Sequence, residues 1–152
     1  MKVHATVSSE GLPLSLVLSP GNEHDSKRLV EVLTKIRIGK RIGRPTSRPL
    51  EVLADAAYDN NEIRQYLRRR GIKSNIPCNK RNLRSGKPGR PTRFDQESYR
   101  KRGCIERFFG WLKSRFRRLA TRYERLNTCF MGFLNLACFI IYWKKVIGKV
   151  LK

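Results

Sequence analysis

The chain has 152 residues, with 34 Lys+Arg against 12 Asp+Glu and a formal net charge of +22; its pI is near 10.8. A chain so basic repels itself unless something anionic is bound, and nucleic acid is the first candidate. Its 39% hydrophobic content supports one domain with a real core and excludes a disordered basic tail.

The N-terminal run MKVHATVSSEG has neither the apolar stretch nor the cleavage pattern of a secretory signal. Residues Lys2 to Ser8 alternate as a strand, Glu10-Gly11 marks a turn, and Leu12 to Ser19 resumes as a second strand before Pro20-Gly21, predicting a hairpin. Asp25 or Ser26 is placed to cap a helix through Leu29, Val30, Leu33 and Ile36, ending at Gly39. A basic loop, residues 39–49, is too rich in Pro, Gly and Arg for regular structure. The run LEVLADAA from Leu50 to Ala57 reads as a buried strand with Asp55 near its C-terminal end. Asn60 or Asn61 caps the next helix, through Ile63, Tyr66 and Leu67 to Gly71, and Ile72 to Pro77 forms a further short strand. A second basic loop, residues 80–93, leads into a helix carrying Glu106, and two helical segments close the chain, around Thr121 to Leu126 and from Phe130 to Val150. Strands alternating with helices after a leading hairpin predict an α/β fold.

Neither a membrane span nor a zinc site is expected. The longest apolar stretch, Cys129 to Trp143, is interrupted by Gly132 and Asn135 and is shorter than the roughly 20 residues a spanning helix needs. Cys78, Cys104, Cys129 and Cys138 contain no Cys-x-x-Cys pair and read as reduced, buried cysteines of a cytosolic protein. His4 and His24 lack metal-ligand spacing and read as packing or turn residues.

The chemistry-bearing residues fall in two places. In YRKRGCIERFFGWLK, Tyr99, Arg102, Glu106 and Lys113 fall within about 60° of arc at roughly 100° per residue, with Arg117 in line behind them. Cys104, Ile105, Phe108, Trp111, Leu112, Phe116 and Leu119 form an apolar arc on the other side. Gly103 and Gly110 flank Glu106 and leave room for a bulky partner. A carboxylate that can hold a metal beside cations that can hold phosphates is the equipment of phosphoryl-transfer chemistry. The same pattern also fits an ordinary (i, i+4) ion pair between Arg102 and Glu106 on a solvated face. Asp55 is the second candidate, since a carboxylate ending an apolar strand is costly to bury unless paired or metal-bound, and open α/β sheets place sites at strand C-termini. Capping of the following turn is its alternative role, although Asp59 and Asn60 stand closer. The two basic loops share Gly-Arg-Pro-Thr, around Arg44 and Arg90. They read as solvated phosphate-contacting loops, or as minor-groove arms.

Tyr99, Arg102, Glu106 and Lys113, at these spacings, resemble the Tyr-Arg-Glu-Lys signature of a large branch of DDE-type insertion-sequence transposases. LADAAYDN around Asp55 is similar to that branch's second-aspartate motif, the segment KVHATVSSEGLPLSLVLSPGNEHDS to its leading hairpin and turn, and ATRYERL near Ala120 to its closing segment. The resemblance covers nearly the whole chain in order. It implies a ribonuclease H-like fold, a mixed sheet flanked by helices, in which two aspartates and a glutamate hold two Mg²⁺ ions about 3.5–4 Å apart. On that basis Asp55 and Glu106 are the carried-over catalytic and metal-binding carboxylates, and Tyr99, Arg102 and Lys113 contact phosphates of the transposon end. The family's first aspartate lies on a strand upstream of the segment matching Lys2-Val3-His4. The expectation is therefore a fragment lacking the first, central strand, completed by an upstream half or a full-length transposase, with a homodimer as a further option. The implied activity is metal-dependent DNA end cleavage and strand transfer, in a cytoplasmic, nucleoid-associated protein. A basic nucleic-acid-binding protein without catalysis is the alternative.

Overall fold

The computed structural model describes residues 1–39, 42–79, 94–121 and 124–150; the second basic loop, with Arg90, lies outside them. The chain opens with the expected hairpin, β1 (Lys2–Val7) and β2 (Pro13–Ser19). These strands pair antiparallel, with His4 opposite Val17, Thr6 opposite Ser15 and Ala5 opposite Leu16. Because side chains alternate across a strand, this register sorts the hairpin into two faces. His4, Thr6, Ser15, Val17 and Ser19 turn one way, and Ser15 donates to the Val32 carbonyl at 2.8 Å on the first helix. Val3, Ala5, Val7, Leu16 and Leu18 pack the other way, against the C-terminal helices. Gly11, at φ 79°, makes the turn with a backbone conformation that a side chain would strain.

A 3₁₀ turn (Asp25–Arg28) leads into α1 (Leu29–Thr34). Its cap is His24, whose ring accepts from the Ser26 amide, rather than the expected Asp25 or Ser26. Asp25 is instead paired to Lys2 at 2.9 Å, which ties the turn to β1. The helix is shorter than its periodicity predicts. The described residues of the basic loop that follows are irregular except for one antiparallel bridge between Ile38 and Thr46. β3 (Glu51–Leu53) and β4 (Lys73–Asn75) are each only 3 residues long, and they pair in parallel around α2 (Asn61–Arg69). Asn60 caps α2 by accepting from the Glu62 amide at 3.0 Å, as its sequence position predicts. Gly71 ends that helix with φ 63°.

The C-terminal part is α3 (Gln96–Arg100), α4 (Gly103–Arg115), α5 (Arg117–Ala120) and α6 (Asn127–Val150). The helix expected around Thr121 to Leu126 does not form in its described residues; a short one precedes it as α5. Two cores result. One joins α1, β3, α2 and the residues flanking β4 through Leu33, Val52, Leu67, Ile72 and Ile76. The other joins the hairpin to α4 and α6 through Phe108, Leu112, Phe130 and Leu134. Tyr142 donates to the Pro13 carbonyl and Lys145 to the Glu10 carbonyl, both at 2.8 Å, so α6 is fastened along the hairpin. Cys104 and Cys138 are buried, but Cys78 and Cys129 are exposed, against expectation. Trp111 likewise leaves the apolar arc and is exposed. None of the described helices is long and apolar enough to cross a membrane.

The mixed α/β class holds. Among the described residues the strands make two separate two-stranded sheets, β1-β2 and β3-β4. β1 and β3 each keep one edge without a strand partner among the described residues. Between those edges runs a groove of about 860 Å³, bordered by every residue of β1 and β3 and floored by α1 and α4.

Candidate active site

Asp55 lies two residues past the end of β3 and begins a 3₁₀ turn (Ala56–Tyr58), yet its side chain makes no capping bond there. That removes the capping role as its reason to be at this position. Its carboxylate reaches the junction of α3 and α4 instead. Arg102 Nη1 lies 2.7 Å from Asp55 Oδ1, and Arg102 Nη2 lies 2.8 Å from Glu106 Oε1. One guanidinium thus bridges the two carboxylates, which meet at the groove mouth from different elements. The Tyr99 hydroxyl donates to Asp55 Oδ1 at 3.2 Å, and the Arg102 guanidinium sits 5.6 Å from the Tyr99 ring centroid. Burial pushes the Tyr99 hydroxyl above its ordinary value, with Arg102 opposing and Asp55 reinforcing the shift. The hydroxyl is therefore a donor at neutral pH.

The backbone explains why the helix stripe survives an interruption. α3 ends at Arg100 and α4 starts at Gly103. Lys101 and Arg102 remain helical in dihedrals, and the junction is tightened by amide bonds three residues back, from Arg102 to Tyr99 and from Ile105 to Arg102. The face therefore stays continuous through Tyr99, Arg102 and Glu106. It does not continue to Arg117. Phe116, at φ −122° and ψ 75°, breaks the helix, so Arg117 is on a separate short element. Lys113 stays on α4 and is exposed, lining a smaller hollow with Glu106 and Gly110. A side chain placed at Gly103 or Gly110 would meet nothing within 4 Å, so the surface beside Glu106 is open. Arg44 is exposed in its loop, remote in sequence from these groups.

Several anchors of this site were not read from the sequence. Ser98 donates to Glu51 Oε2 at 2.6 Å, fastening α3 to β3. Asn75 is fully buried and exchanges two hydrogen bonds with the Asp95 backbone, at 2.8 and 3.0 Å. The Asp95 carboxylate in turn caps α3 by accepting from Ser98, a signal present in the Asp-x-x-Ser spacing. Together these clamp the segment carrying Tyr99 and Arg102 against the end of the β3-β4 sheet. Among the described residues, no third acidic, histidine or cysteine side chain joins Asp55 and Glu106 in a metal-binding group.

A carboxylate pair at a strand end and a helix face, beside exposed cations on an α/β frame, is a constellation of nucleic-acid phosphoryl-transfer proteins. The chain belongs to the transposase DDE domain family, which it matches over residues 1–142. It is 36% identical over 141 residues to a Brucella ovis protein named as a transposase for insertion sequence element IS6501, covering 93% of this chain and 96% of that one. It is 32% identical over 143 residues to a Burkholderia cepacia protein named for insertion sequence element IS402, covering 93% of this chain but 62% of the relative. No solved structure gives a significant match.

Proposed function

We propose that this chain supplies part of a ribonuclease H-like active site for metal-dependent DNA end cleavage and strand transfer, with Asp55 and Glu106 as metal-holding carboxylates. The observation that carries the reading is the convergence of these two groups on one cation in a chain of the DDE family. Hard oxygen donors on exposed side chains suit Mg²⁺, and the bridging guanidinium already marks where a cation is stabilised between them. When bound, a divalent pair would steady the attacking and leaving oxygens of in-line displacement at phosphorus. The chain's own groups do the rest. Asp55 and Glu106 present ligand oxygens, Tyr99 holds Asp55 in place through its hydroxyl, and Arg102 and Lys113 offer cations to the phosphates of the transposon end. Arg44 and Arg90, in the two Gly-Arg-Pro-Thr loops, offer further cations to DNA phosphates.

The remaining carboxylate would come from a strand seated in the groove between β1 and β3. Two unpartnered edges facing one cavity support this, because an extended segment there would satisfy both rows of backbone groups. The segment would come from an upstream part of a longer transposase or from a companion chain.

The test is an end-cleavage and strand-joining assay with Mg²⁺ or Mn²⁺. The 152-residue chain alone should be inactive. It should gain activity when an aspartate-bearing upstream segment is fused to it, and lose it with Glu106→Gln. Robust cleavage by the chain alone, abolished by Asp55→Asn, would overturn the account of the groove. Activity that survives Glu106→Gln would overturn the metal reading.

The second reading, a basic nucleic-acid-binding protein without catalysis, draws on the fact that Arg102 already neutralises both carboxylates as a surface ion-pair network. On that reading, salt-sensitive DNA binding would be indifferent to divalent ions.

A further inference from the structure

Arg102 occupies the position that a divalent cation needs. Its two terminal nitrogens contact Asp55 Oδ1 at 2.7 Å and Glu106 Oε1 at 2.8 Å, so it spans the carboxylates as a monovalent, planar substitute for a metal. Mg²⁺ takes oxygens at about 2.0–2.1 Å and keeps its other positions for water or phosphate. A guanidinium on the same carboxylates competes with that shell for Asp55 Oδ1 and Glu106 Oε1 and repels a second cation at close range. The side chain is long and 27% exposed, lies at the rim of the groove, and stacks its guanidinium on the Tyr99 ring, so its charged end can swing without disturbing the core.

We infer that Arg102 is a positioning residue that acts as a displaceable counter-ion: it holds Asp55 and Glu106 together before metal binds, and is released toward DNA phosphate when metal enters. This deepens the proposed function and rests on the metal reading of Asp55 and Glu106. It makes cation binding and DNA binding cooperative. Each divalent ion that enters frees a guanidinium with a fork matched to phosphate, and phosphate that captures the guanidinium opens the carboxylates in return.

A structural clamp and a displaceable counter-ion predict opposite signs for one measurement. Mn²⁺ affinity of the 152-residue protein is measured by titration with electron paramagnetic resonance of free Mn²⁺, for wild type, Arg102→Ala, Arg102→Lys, Asp55→Asn and the double variant Arg102→Ala/Asp55→Asn. Removal of the guanidinium should tighten Mn²⁺ binding on the order of ten-fold, from the loss of one adjacent positive charge. Arg102→Lys should fall between, since an ammonium keeps the charge but cannot span both carboxylates. The double variant should lose the gain. If Arg102→Ala binds Mn²⁺ as wild type does or more weakly, while Asp55→Asn still reduces binding, the counter-ion inference fails and the metal reading stands. If neither wild type nor Arg102→Ala shows Mn²⁺ binding that depends on Asp55, both fail.

Discussion

Asp55 and Asp59 stand four residues apart in one turn, and each pairs with an arginine, yet the two pairs belong to different parts of the molecule's work. Asp59 is 1% exposed and Arg64 13%, with Nε 2.6 Å from Oδ1. Asp59 also accepts from the Asn79 amide at 2.8 Å, and Arg64 donates to the Ile76 carbonyl at 3.0 Å. That pair joins α2 to the chain leaving β4. Asp55 is 52% exposed and Glu106 65%, and their shared guanidinium borders an open groove. A buried pair is part of the fold because neither member can be left alone. An exposed pair contributes little to stability and can be exchanged for another ligand.

The largest effect should come from breaking the buried pair. Asp59→Ala leaves the Arg64 charge unpartnered in the interior and should cost about 3–5 kcal/mol, lowering the thermal midpoint by about 10 °C. A midpoint within about 2 °C of wild type would show that the pair is not structural. Asp55→Ala and Glu106→Gln should each change stability by less than about 1 kcal/mol in a denaturant titration. A loss as large as that of Asp59→Ala would make the exposed cluster a structural one and erase the contrast.

That contrast was only half legible in the sequence. Both aspartates lie in LADAAYDN, and composition gives no way to tell which turns inward; Asp59 and Asp25 were expected to be caps and are instead held in ion pairs. Asp55 was legible because it ends an apolar strand, and Glu106 because helical spacing sets it apart from the apolar arc. The hairpin was legible from its alternation and α2 from Asn60 and Gly71. Arg117 was misplaced because periodicity assumes an unbroken helix, and the break at Phe116 is set by packing: Phe116 and Leu119 both turn into the second core. The separation of β3 from β1 was anticipated only through the family resemblance, since short apolar runs carry no record of which strand is their neighbour.

A smaller effect concerns the cations that lie apart from either pair. Arg44→Ala and Lys113→Ala should each leave the fold intact, weaken DNA binding similarly across sequences, and lower the slope of log affinity against log salt by about 1. An unchanged slope would place that residue away from DNA.

The smallest effect should be on pH dependence. His4 bonds Ser19 Oγ at 2.8 Å within the hairpin face toward α1. Burial lowers its pKa from 6.5, with Asp25 opposing. The folded protein thus binds a proton here less readily than the unfolded chain. The contribution of this residue is complete above 6.5 and is lost as pH falls through the lower folded value. Denaturation midpoints should decline modestly from about pH 7.5 to about pH 5.5, and His4→Asn should flatten that decline. An identical decline in the variant would assign it to other groups.

The claim that Asp55 and Glu106 are jointly built to hold a divalent cation is tested most directly by Mn²⁺ anomalous diffraction from soaked crystals of the protein. The account predicts an anomalous peak at coordination distance from both carboxylates, with the Arg102 guanidinium turned away from its bridging position. Mn²⁺ bound elsewhere, with Arg102 still spanning Asp55 and Glu106, would contradict it.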